Sequence, residues 1–397
     1  MLQTTRASLA HGLSIALILL LVLAAASALW TLAATTDFGE SDFMIYWAAA
    51  YLVNNGESPY DLDLIRAVQQ SQPHTRPEVT TIAWNPPFMF LFLMPFAWLP
   101  FPVAKFAWLI SSILLVLTAA LMLANVYLIT APSKIRLAFL ALAVAFPAVV
   151  TGLYMGQVTF LVFWGLVASL FLMKRDRWFW AGAALLLTTI KPHMVILPVL
   201  YILIYMTLHR KVKGWMGAIT VGTIGLVVLL ALSPDLIFNP IGETSVAAGR
   251  WATSTIGGLL SYLGVTEVAR YLIVLLLPLP FLMAKHSEKF SLEFSVAVLT
   301  LITVPTTFYG WSYDQTILLI PIAQLFAWLA HSKYRLAIAA LIAGAIGLNY
   351  FQRVLPFNEV FYLWVPLVWG LIFVTAWRTG AALRESSGQP AARNSHP

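Results

Sequence analysis

The stretch Phe88–Leu99, FMFLFLMPFAWL, is apolar throughout, yet its roughly 12 residues make a helix of only about 18 Å, short of a ~30 Å bilayer core. Whether it crosses the membrane sets the orientation of everything after it. Arg6 places the amino terminus inside, so the apolar run from 13 to 34 exits as an uncleaved anchor, and the polar stretch from Thr35 to Asn85 lies outside. If Phe88–Leu99 rests along the outer interface, each later basic cluster falls inside: Lys134 with Arg136; Lys174, Arg175 and Arg177; Arg210, Lys211 and Lys213; Lys285 and Lys289; Lys333 and Arg335; and Arg378 onward. If it crosses, all of them fall outside, against the preference of Lys and Arg for cytoplasmic loops. The first arrangement is therefore expected. Its spans run 13 to 34, 102 to 128, 135 to 151, 156 to 173, 177 to 191, 194 to 208, 214 to 233, 267 to 284, 290 to 306, 314 to 330, 336 to 350 and 358 to 377. That is an all-α polytopic membrane protein of about twelve helices with both termini cytoplasmic, one integral unit over 1–384 and a disordered tail over 385–397.

Composition points the same way. Of 397 residues, 60% are hydrophobic and 10% are charged, against about 25% charged in a soluble domain. This excludes a cytosolic or secreted globule. Aromatics reach 13%, with 15 Trp, which suits many membrane interfaces. The net charge of +7 is first a topology signal, so no nucleic-acid partner is expected. The absence of Cys excludes thiolate zinc sites, catalytic thiols and disulfides.

The outer loop over 35–101 gathers Asp37, Glu40, Asp42, Glu57, Asp61, Asp63 and Glu78. Within it, Phe43, Trp47, Ala50 and Tyr51 recur at helical spacing, which predicts an amphipathic helix lying on the membrane from Asp42. Asp42 itself reads either as that helix's N-cap or as a reactive carboxylate. Ser58, Pro59, Tyr60 and Asp61 form a turn into a second amphipathic stretch from Leu62 to Gln72, and Asn85 with Pro86 reads as the start of the short interfacial helix. Tyr60, Asn85 and the prolines are read equally as pure architecture.

The other outer ends are polar where spans emerge: Gly156 and Gln157; Lys191, Pro192 and His193; Arg250; and Tyr309, Trp311, Tyr313 and Asp314. Ionisable groups at membrane depth are costly and mark functional sites by default. The structural alternatives are a snorkelling Lys191, a satisfied core His193 and an Asp314 that caps its helix. Taken together, one acid-rich loop and a set of cations on the same side predict a shared cavity at the outer boundary. A carboxylate there suits general-base chemistry, and fixed cations suit an anionic leaving group such as phosphate. A lipid substrate follows from the setting. No Walker sequence and no His-Glu-x-x-His site occur. No residue pattern demands a metal or cofactor, although Asp42 with Asp61 could hold a hard cation.

The run Ser41-Asp42-Phe43 with Tyr46, Ala49, Asn55-Gly56, Pro59-Tyr60-Asp61, and then Asn85-Pro86-Pro87 with Pro95 and Pro100, resembles the first outer loop of glycosyltransferase family 87. Gly156-Gln157, the Gly182 to Lys191-Pro192-His193 stretch and the Trp311 to Pro321 segment resemble it too. That family belongs to the GT-C class of membrane-embedded transferases and includes mannosyltransferases that use a polyprenyl-phosphate carrier. The resemblance implies a GT-C-like bundle, a lipid-phosphate sugar donor consumed on the outer (periplasmic or extracellular) face of a bacterial inner membrane, and Asp42 as the base. It implies Lys191 and His193 beside the donor phosphate; from their place on the outer side, Arg250 is a further candidate cation there, and Tyr60, Asp61, Asn85, Gln157, Tyr313 and Asp314 are further binding candidates. Where this chain has Asp314 the family often carries His. The rival readings are a transporter or flippase of lipid-linked sugars, and a polymerase or ligase of surface polysaccharide.

Overall fold

The structure is a computed structural model that describes residues 42–72, 81–232, 236, 251–330, 332, 335–355 and 358–386. The expected first span, Arg250 and nearly all of the expected tail lie outside the described residues. Every regular element among those described is helical.

In chain order the helices are α1 (Asp42–Asn54), α2 (Leu62–Gln70), α3 (Phe90–Ala97), α4 (Phe101–Tyr127), α5 (Ser133–Ala145), α6 (Pro147–Met155), α7 (Thr159–Met173), α8 (Trp178–Ala184), α9 (Ile196–Leu208) and α10 (Val212–Leu232). They continue with α11 (Ile256–Tyr262), α12 (Pro278–Lys285), α13 (Leu292–Thr306), α14 (Leu319–Leu329), α15 (Arg335–Val354) and α16 (Trp364–Ser386). Six runs are long and apolar enough to cross a membrane: Phe101–Tyr127, Ser133–Met155, Val212–Leu232, Val268–Lys285, Leu336–Arg353 and Glu359–Arg378. Thr159–Met173, Trp178–Ile190, Pro192–Leu208, Leu292–Thr306 and Asp314–Leu329 are apolar but shorter than the ~20 residues of a full crossing. Each expected span after the first coincides with one of these runs, and six of them meet the length requirement alone.

Small residues set the closest approach in the bundle. A Cβ at Gly182 of α8 would stand 1.8 Å from the Gly214 carbonyl oxygen of α10, and one at Gly217 would stand 1.8 Å from the Phe179 carbonyl oxygen. Such contacts let two backbones touch, which is how apolar helices associate where lipid removes the hydrophobic drive between them.

The acidic loop differs from expectation. Its first helix, α1, does not lie with one face exposed: Phe43, Met44, Tyr46, Trp47, Ala48, Ala49, Ala50, Leu52 and Val53 are all buried. The reason is visible in its sequence, since residues between the noted stripe positions are apolar too, and a helix apolar all round is buried. Phe43 stacks on Trp108 of α4 with centroids 5.6 Å apart, and Trp47 meets Phe101 at 5.3 Å. The short segment Phe88–Leu99 is the principal partner of α1. Asn54 Nδ2 donates to the Met94 carbonyl at 3.1 Å and Trp47 Nε1 to the Leu99 carbonyl at 3.2 Å. By contrast α2 is amphipathic as expected, burying Ile65 and Gln69 and exposing most of its other side chains.

Polar contacts separate the two ends of the bundle. Lys174, just after α7, pairs with Glu293 at the start of α13; Lys211 lies over the Trp178 ring at 4.5 Å, and His209 meets Ser287 at 3.1 Å. The opposite ends of α7 and α13 carry Thr159 and Thr307, where the unusual polar residues collect.

Candidate active site

Four chain segments converge there, three of them at a local break in regular structure. Asp42 is the first residue of α1. Gly156 ends α6 with φ 71° and ψ 40°, the left-handed region that favours glycine. That turn sends Gln157 and Thr159 inward at the start of α7. Lys191 separates two tight helical turns, Leu185–Ile190 and Pro192–Val195. Asp314 opens the turn Asp314–Leu318 before α14.

The side chains form one connected network. Gln157 Nε2 donates to Asp42 Oδ2, while its Oε1 accepts from Tyr46 Oη at 3.2 Å and from Lys191 Nζ at 2.9 Å. Lys191 Nζ also donates to Thr159 Oγ1 at 3.1 Å and to Asp314 Oδ1 at 2.9 Å. Thr159 Oγ1 donates to the same Asp314 oxygen at 2.7 Å, and the Trp311 N–H reaches Asp314 Oδ2 at 3.1 Å. Tyr313 lays its ring 4.9 Å from the ammonium.

Lys191 and Asp314 have side chains only 7% and 6% exposed. A buried pair is tolerable only when its remaining donors and lone pairs are met, and the three N–H of Lys191 are all taken. Asp42 stands at the edge of this network and is partly exposed. Burial pushes its carboxyl up to about 6, against the Lys191 charge and the Gln157 hydrogen bond, which pull it down; Asp314 adds to the rise. A carboxyl raised this far has the protonation range that general-base chemistry near neutral pH calls for.

Of the residues singled out from sequence, Asp42, Gln157, Lys191, Tyr313 and Asp314 are brought into direct contact. His193 lies beside them: its ring is 4.0 Å from that of Tyr309, and its Nε2 is buried without a hydrogen-bond partner. Asn85 does not cap a helix, because the turn Pro87–Met89 begins one residue later than expected, with Pro86 in the capping position. Its Nδ2 instead donates to the Ile190 carbonyl at 3.2 Å and so fixes the chain just before Lys191. Asp61 is a helix cap, accepting from the Asp63 and Leu64 N–H groups at 2.9 and 3.1 Å. Neither it nor Tyr60, whose hydroxyl lacks a partner, hydrogen-bonds to the network. Asp314 is no simple cap, since both its oxygens are engaged by the network.

Thr159 and Tyr46 were missed as site residues. Tyr46 had a readable signal, one turn beyond Asp42 on the same helix face. Glu359 was missed as well; it accepts from Ser312 N at 2.8 Å and Ser312 Oγ at 3.0 Å and so clamps the loop that carries Tyr313 and Asp314.

Residues 84–247 match the family model of glycosyltransferase family 87. The match covers less than half of the chain and agrees with the resemblance carried by the motifs, and the long apolar helices fit a membrane protein of that kind. The family-87 segment includes Asn85, Gln157, Thr159, Lys191 and His193, while Asp42 and Asp314 stand outside it. No curated protein and no solved structure gives a significant match.

Proposed function

We propose that this protein moves a hexose, mannose foremost, from a polyprenyl-phosphate carrier to an acceptor hydroxyl on the outer face of a bacterial inner membrane. The observation that carries the reading is the hydrogen-bonded chain from Asp42 through Gln157 to Lys191 and Asp314, assembled at the end of the bundle away from the basic clusters.

In this mechanism Asp42 takes the proton of the acceptor hydroxyl as its oxygen attacks the anomeric carbon. The bond from that carbon to the phosphate oxygen breaks, and the pair of electrons leaves with polyprenyl phosphate. Displacement in one step inverts the anomeric centre. Gln157 aims the Asp42 carboxylate by holding one of its oxygens, and Lys191 holds Gln157 in turn. With its three donors occupied, Lys191 serves the departing phosphate as a fixed charge, whereas the unpartnered His193 Nε2 is the group able to donate to it. Arg250 is assigned a supporting cationic role at the phosphate.

Purified protein incubated with polyprenyl-phosphate hexoses and hydroxyl acceptors should transfer the sugar with inversion, and Asp42→Asn should remove the transfer while leaving the protein folded. Undiminished transfer by that variant would take Asp42 out of the mechanism. Passage of intact lipid-linked sugar across proteoliposomes without transfer would establish the flippase reading instead. For orientation, a reporter fused after Lys211 should report the cytoplasm; an outer-face signal would reverse the topology.

A further inference from the structure

A wall of aromatic rings adjoins the network and takes no part in the mechanism above. Trp251 is its centre, meeting Trp84 at 5.6 Å, Tyr309 at 5.8 Å and Trp311 at 5.8 Å between centroids. These four rings are partly exposed rather than buried in the core. Trp311 also lines a small cavity whose polar side is Ser254, Thr307, Asp314 and Gln315 and whose apolar side is Met194, Val304 and Ile317, with room for about one water-sized group. Ser254 holds the Gly310 carbonyl with both its N–H, at 2.9 Å, and its hydroxyl, at 2.8 Å, so that rim is fixed.

Gln315 supplies the deciding observation. It is 1% exposed, and its Nε2 donates to the Tyr362 carbonyl at 3.1 Å, but its Oε1 is buried with no partner. An unmet buried acceptor is destabilising and calls for a donor. A hydrocarbon tail would leave it unmet. A phosphate would find no cation in this lining, only the Asp314 carboxylate. A water or a sugar hydroxyl supplies the proton at the right size. Of the two only the hydroxyl brings a ring, whose weakly positive C–H face suits the electron-rich face of Trp311 at the cavity and of Trp251 beside it.

We propose that this cavity is a recognition pocket for a single hydroxyl of the transferred hexose, with Gln315 Oε1 as its acceptor and the Trp251–Trp311 wall as the platform for the pyranose ring. The assignment rests on the hexosyltransfer reading and names the subsite that selects the sugar. A site built to hydrogen-bond a hydroxyl discriminates strongly against the analogue lacking it. Gln315 thus determines specificity, and Asp42 performs the proton transfer.

The test compares kcat/KM for the preferred polyprenyl-phosphate hexose and for its analogues, each lacking one ring hydroxyl. In wild type, one analogue should be used at least about 10-fold less well than the others. Gln315→Met, which has no acceptor, should erase that difference, whereas Gln315→Glu, held protonated by its burial against the Tyr362 carbonyl, keeps an acceptor oxygen and should retain it. A merely structural role would lower turnover of every analogue in Gln315→Met by the same factor and leave the difference between them intact, and that result overturns the proposal. It leaves the transferase reading standing. A second arm is independent of turnover: saturation-transfer NMR of the purified protein with methyl hexosides. Ring protons should receive saturation from wild type and from Trp311→Phe but not from Trp311→Ala. Absence of the signal in wild type would sink the pocket, and its presence in a protein that transfers no hexose would sink the reaction while keeping the pocket.

Discussion

Glu293 at the start of α13 and Asp314 just before α14 both pair with a lysine, Lys174 and Lys191 respectively, but at opposite ends of the bundle and in different surroundings. The Lys174 and Glu293 side chains remain 43% and 15% exposed, so water shares in their solvation and the pair needs little else. At Lys191 and Asp314 exposure falls to 7% and 6%, and Gln157, Thr159, Tyr313 and the Trp311 N–H stand in for water. An exposed pair tolerates sloppy neighbours. A buried one constrains every polar group around it, and that constraint holds Gln157 against Asp42.

The comparison can be broken in several ways. The largest effect should come from Asp42→Asn, which removes the proposed base: transfer should fall by about 10³-fold, within the range assigned to general-base groups, measured as product formed per enzyme. Next is Lys191→Met, which strands a buried carboxylate and should lower stability by roughly 3–5 kcal/mol in denaturant unfolding. Adding Asp314→Leu should recover most of that stability without restoring transfer. If the double variant is as unstable as the single one, the buried pair is not what constrains this end.

Gly182→Ala should lower stability by about 1–3 kcal/mol, because its Cβ collides with backbone rather than with a movable side chain. Such a loss, seen as a reduced thermal midpoint, would show that the packing of α8 on α10 supports the bundle independently of its charges. The pH dependence is gentler. Because the Asp42 carboxyl is raised to about 6 and must be ionised to accept a proton, kcat/KM should climb about tenfold per pH unit below that value and level off above it. An activity flat from pH 5 to 8 would contradict its role. The smallest effect belongs to Lys174→Met at the other end, expected to change stability by under about 1 kcal/mol and transfer not at all.

Much of the site was readable because charges are few. In a chain with 10% charged residues, Asp42 opens the apolar first helix of the acidic loop, Gln157 sits beside a glycine, and Lys191 and Asp314 each stand out at one end of an apolar run. Thr159 and Tyr46 did not, since hydroxyls are common in apolar helices and carry no signal until a partner is known. The position of α1 was misread for a related reason. Phe43, Trp47 and Tyr51 form a stripe at helical spacing, but Met44, Ala48, Leu52 and Val53 fill the other faces, so the stripe gave no direction. Asn85 carried a capping signal that fits many helix starts, and only the approach of the Ile190 carbonyl shows what its side chain holds.

By itself, then, the sequence determined that the chain is helical and membrane-embedded, where nearly every helix runs, and which few ionisable groups merit scrutiny. Those are local properties, since hydrophobic length and charge content act residue by residue. Only the tertiary structure decided that Asp42, Gln157, Lys191 and Asp314 form one network, and that the acidic loop's first helix is buried. The links from Asp42 to Gln157 and from Lys191 to Asp314 join residues more than a hundred positions apart, and they are set by which buried donor finds which acceptor once the helices have packed.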